Sequence, residues 1–85
     1  MSRRRNYTPD TMAVMERFFS TIEELQSTRS LVGGISGYCA QNGIDKRHLY
    51  AQRDDRTRGY FEVAWIIPLV RDYGINPEWL LTGKE

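Results

Sequence analysis

The stretch ISGYCAQNGIDKRHLYAQR, Ile35 to Arg53, decides how this chain folds. It reads as two short helices joined by a tight turn. The first covers Ile35 to Gln41 or Asn42, with Ile35, Tyr38 and Cys39 on its inward side. Gly43 follows as the residue that tolerates a positive φ and stops the helix. Ile44 then returns the chain to the core, and Asp45 caps a second helix that runs to about Gln52 or Arg53. The two helices approach most closely four residues before the glycine, where Cys39 supplies a small side chain. Leu49 anchors the second helix inward. Its remaining face carries Lys46, Arg47, His48, Tyr50, Gln52 and Arg53. This angular pair has the helix-turn-helix layout.

Upstream, the punctuation of a long helix is plain. Thr8 suits the N-cap, Pro9 the first helical position, and Asp10 the positive end of the helix dipole. Met12, Met15, Phe18, Phe19, Ile22 and Leu25 recur at steps of three and four, which predicts one apolar stripe along residues 9 to 27. Ser27 to Gly34 is a break. Downstream, Asp54 to Gly59 is a charged connection, and Tyr60 to Trp65 is a structured crossing, with a strand as the lesser alternative. A fourth helix is expected from Trp65 or Ile66 to Tyr73, with Pro68 tolerable only in its first turn. Gly74 closes it, and Asn76-Pro77 opens a last short helix through Leu81. The expectation is five short helices around one core. Residues 8–85 form this single domain, behind a flexible basic arm at 1–7.

Composition narrows the chemistry. Eighty-five residues bury one small core and leave no room for a second. Twelve basic and eleven acidic side chains give a net charge of +1, so any electrostatic role depends on where the charges sit. One cysteine excludes an internal disulfide, and with a single histidine it excludes a zinc module, a pattern that suits a reducing cytoplasm. The apolar, uncharged run Val63 to Val70 is too short to span a bilayer. The Met-Ser-Arg-Arg-Arg start has no apolar run behind it and is not a secretory signal.

The candidate contact residues are of types that bind phosphates or base edges. Lys46, Arg47 and Arg53 suit phosphates, Gln52 can read adenine bidentately, and His48 and Tyr50 stand beside them. The alternative is a solvated helix face. Asp54 and Asp55 would repel phosphate and confine the patch to the earlier turns. Ser36 can join free backbone N–H groups in holding a phosphate, or is a plain surface serine. Arg3, Arg4 and Arg5 can track a groove or phosphates, or form a simple tail. Cys39 reads as a small core residue, and Trp65, Trp79 and the tyrosines as packing. Gly33-Gly34 is a turn without the pattern of a phosphate loop. No catalytic, cofactor-binding or metal-ligating residues are assigned. Paired carboxylates in a plausible pocket, a metal cluster and an activated nucleophile are all lacking.

The segment GINPEWLLTG, residues 74 to 83, resembles the end of the phage-repressor-like helix-turn-helix family (lambda repressor-like, Xre type). The turn Asn42-Gly43-Ile44-Asp45 and the inward Leu49 stand at that family's spacing upstream, and the resemblance covers residues 12 to 83. Three features depart from it: Asn42 where leucine is usual, Pro68 inside the fourth helix, and a longer crossing from Arg56 to Trp65. The resemblance implies a compact five-helix, lambda-repressor-like domain. It implies a non-catalytic, sequence-specific regulator of transcription, bacterial or phage, that binds double-stranded DNA as a homodimer. Residues 45–53 would be the recognition helix, and no cofactor, membrane or small-molecule ligand is implied. Such a protein would work in the cytoplasm, at the nucleoid. The other reading keeps the fold and makes it a protein-interaction adaptor or anti-repressor.

Overall fold

The computed structural model describes residues 6–85, so Arg3, Arg4 and Arg5 lie outside the described residues. Five α-helices follow one another: α1 (Pro9–Ser27), α2 (Gly34–Gln41), α3 (Lys46–Asp54), α4 (Ile67–Tyr73) and α5 (Pro77–Thr82). A single 3₁₀ turn, Val63–Trp65, precedes α4, and the described residues contain no β-strand. The crossing from Tyr60 thus holds no strand before that turn, and its Tyr60 and Phe61 pack against the core.

The helix ends follow local chemistry. The Thr8 side chain accepts from the Thr11 N–H, with Pro9 in the first turn. The Asn76 side chain does the same for Glu78, ahead of Pro77. Pro68 also falls in the first turn of α4, where no helical bond needs its missing N–H. At the end of α2, Gly43 has φ +66°. The Ile44 N–H then reaches back to the Cys39 carbonyl at 2.9 Å, the bond of a Schellman closure. Asn42 takes a polar part in this closure. It donates to the Tyr38 carbonyl at 2.9 Å and accepts from Arg71 at 3.3 Å, so this position is bonded rather than packed.

α1 is the spine. Met15, Phe18, Phe19 and Ile22 are fully buried, while Met12 and Leu25 at the ends of the stripe are half-buried. Ile35, Tyr38 and Cys39 from α2, Leu49 from α3, Trp65 from the 3₁₀ turn, Leu69 from α4, Leu80 from α5, and Leu31, Ile44 and Ile66 from the connections complete the core. Each large apolar side chain contributes about 1.5–3 kcal/mol by leaving water. Polar ties hold the elements in register. Tyr38 donates to the Trp65 carbonyl at 2.7 Å, and burial pushes its phenol well above the ordinary value. Arg17 donates to the Leu80 carbonyl at 2.9 Å and fastens α5 to α1. Arg56 pairs with Glu16 at 2.8 Å over the Phe19 ring and fastens the crossing to α1. Gly37 is required by close approach: a Cβ there would drive into the Val32 carbonyl.

Candidate nucleic-acid interface

α3 presents its start to solvent and its middle to the core. Leu49 is fully buried and fixes the roll of the helix. The Asp45 carboxylate caps the first turn, accepting from the N–H of Arg47 at 2.9 Å and of His48 at 3.3 Å. Desolvation pushes this carboxyl upward. The bonds from His48 and Arg47 and the charges of those residues outweigh it, and the group sits below the ordinary aspartate value. Lys46, Arg47 and His48 are all exposed in this turn. Among the described residues neither Lys46 nor Arg47 enters an ion pair.

His48 is not a loose surface group. Its ring lies flat on the Tyr60 ring, with centroids 3.9 Å apart and planes inclined by 7°. Its Nε2 stands 3.6 Å from the Asp45 carboxylate. Tyr60 belongs to the crossing, and no sequence spacing points to it, since an irregular loop brings it back to the helix.

The later half of α3 differs from the sequence-based expectation. Gln52 is fully buried, so it cannot read a base here. Its Nε2 donates to the Arg56 carbonyl at 2.8 Å and lies 3.4 Å from the Met15 sulfur, and its Oε1 accepts from the Tyr60 N–H at 2.9 Å. The physical reason is helical: Gln52 stands three residues after Leu49 and shares its inward side. Arg53 donates to Asp54 at 3.2 Å and lies 4.7 Å over the Tyr50 ring. Both Arg53 and Tyr50 are half-buried.

Ser36 is exposed in the first turn of α2. Two of the N–H groups expected to be free at that helix start are already bonded: Gly34 to the Leu31 carbonyl at 3.0 Å and Ile35 to Gln26 Oε1 at 2.8 Å. Cys39 is buried, and burial pushes its thiol up, away from the reactive thiolate. Trp65 is core, stacked edge-on with Phe61 at 5.7 Å, and Trp79 is half-buried. No group of three or more metal-binding side chains exists among the described residues. No helix among them is long and apolar enough to cross a membrane.

A second surface lies away from α3. Val63, Ile67 and Leu81 are 66%, 47% and 52% exposed. They rim an apolar groove of about 240 Å³ floored by Ile66, Val70 and Leu80.

Fold and site together define an all-helical, five-helix protein with a cationic helix start projecting from a buried anchor. In comparisons with known proteins, no family model matches the chain, and neither a curated protein nor a solved structure matches it.

Proposed function

We propose that this chain is a non-catalytic, sequence-specific regulator of transcription, repressor-like, that binds double-stranded DNA with the start of α3 in the major groove. One observation carries the reading. Lys46, Arg47 and His48 stand exposed together in the first turn of a helix whose roll is set by the buried Leu49. Recognition helices place their N-terminal residues against base edges in this way. The lambda-repressor-like resemblance of residues 12 to 83 supports the same reading.

Lys46 and Arg47 position the helix on phosphates. His48 and Tyr50 face the base edges, and Ser36 offers a hydroxyl to the backbone. Arg53 has a smaller part, because Asp54 already holds it. Gln52 has no contact role. A net charge of +1 makes non-specific binding weak, so affinity rests on a correct sequence. Two copies on two half-sites supply the contacts that one small domain lacks. The apolar groove rimmed by Val63, Ile67 and Leu81 is available for their pairing.

The test is a binding titration against duplexes selected from a random pool, repeated at several salt concentrations. Lys46→Ala and Arg47→Ala should each weaken binding and lower the salt slope by about one. The same groove favours the second reading, a protein-interaction adaptor. Absence of salt-dependent DNA binding by the unaltered protein would select the adaptor.

A further inference from the structure

Gln52, the crossing and the helix start form one connected arrangement. Gln52 is fully buried, and its amide both donates to the Arg56 carbonyl and accepts from the Tyr60 N–H. No apolar side chain can do either, and an ionised glutamate cannot donate. The amide thus selects one path for residues 56 to 60. That path lays the Tyr60 ring flat against His48 at 3.9 Å, which restricts rotation of the imidazole. The Nε2 edge of the imidazole faces Asp45, whose carboxylate lies 3.6 Å away. In the neutral ring with its proton on Nε2, toward this carboxylate, Nδ1 is the acceptor.

We infer that Tyr60 is a positioning residue for base recognition. Held by Gln52, it fixes His48 so that the acceptor Nδ1 selects a base presenting an exocyclic amine in the major groove, adenine or cytosine. The inference rests on the DNA-binding reading and deepens it. Tyr60 itself contacts no base. It removes orientational freedom from His48 before binding, so less ordering is left to oppose the contact. The sequence alone holds no trace of this role, because His48 and Tyr60 are joined only through the loop that the buried amide shapes.

The experiment has two readouts. In the free protein, NMR of the imidazole protons reports the stack through the ring current of Tyr60. Tyr60→Ala should shift those protons toward exposed-histidine positions, and Tyr60→Phe should keep them in place. With DNA, the unaltered protein, His48→Ala, Tyr60→Ala, Tyr60→Phe and Arg47→Ala are each used to select from a random duplex pool. Tyr60→Ala should lose about fivefold of the preference for an amine-bearing base at one position, as His48→Ala does. The double variant should lose no more, and Tyr60→Phe should retain the preference. Tyr60 is on the surface side of the loop bond and half-buried, so its variants test the inference where Gln52 variants could simply unfold. Unshifted imidazole protons in Tyr60→Ala would overturn the inference at the stack. Additive losses in the double variant, or an unchanged preference in Tyr60→Ala while Arg47→Ala weakens binding, would overturn it with DNA binding intact. If Arg47→Ala binds DNA as tightly as the unaltered protein, the placement of the α3 start on DNA fails and the inference falls with it, whereas absence of DNA binding by the unaltered protein would sink the DNA reading itself.

Discussion

The first and last turns of α3 carry similar side chains and meet opposite fates. In the first turn Lys46 and Arg47 are exposed and outside any ion pair among the described residues. In the last, Gln52 is buried and Arg53 is held by Asp54. Residue type is therefore a poor guide to availability. What decides it is the angle of each position around the helix relative to Leu49, and what the following loop brings back. The crossing folds over the end of α3 through Gln52 and leaves the beginning open. A cationic face that looks nine residues long in the sequence shrinks to little more than one turn.

The strongest way to break this contrast is to remove the anchor that creates it. Leu49→Ala should destabilise the fold by about 2–5 kcal/mol, read from the urea midpoint. It should also weaken DNA binding, although residue 49 touches no DNA. A loss below 1 kcal/mol would mean that α3 is not held in this roll.

Gln52→Leu comes next. It strands the Arg56 carbonyl and the Tyr60 N–H and should cost about 1–3 kcal/mol of stability. A neutral effect on unfolding with a large loss of base preference would restore Gln52 as a reader of bases.

Arg47→Ala and Arg53→Ala sharpen the contrast directly. The first should reduce DNA affinity and its salt dependence without changing the melting temperature. The second should do little to affinity, since Asp54 already occupies its guanidinium. Equal effects in parallel titrations would show that both ends of α3 meet the backbone.

The smallest effect concerns acid. In the folded chain the Asp45 carboxyl lies below the ordinary aspartate value of 3.8. A group lowered in this way stabilises the fold above its unfolded pKa, and the contribution disappears as the pH falls through the folded one. Circular dichroism should therefore show part of the acid unfolding below pH 3.8 as belonging to Asp45. Asp45→Asn keeps the cap but cannot titrate, and should flatten that part of the curve.

Much of the fold was legible because it depends on neighbours in the chain. Thr8-Pro9 and Asn76-Pro77 each supply an N-cap and a first-turn proline, and Gly43 and Gly74 stop helices by taking positive φ. The stripe from Met15 to Ile22 is a matter of helical period. The order of five helices and the inward Ile35, Tyr38, Cys39 and Leu49 follow from the same local rules. The candidate site was legible only in its first turn, where Lys46, Arg47 and His48 follow the Asp45 cap.

The sequence alone determined where the helices begin and end and which side of each faces inward, because capping, φ preference and periodicity act within a few residues. Tertiary structure alone decided that the inward Gln52 would bind the loop, that Asn42 would bond to Arg71, and that Tyr60 would cover His48. Those contacts join residues that only the packed core brings together. A side chain with both a donor and an acceptor goes wherever burial would otherwise leave backbone groups unpaired.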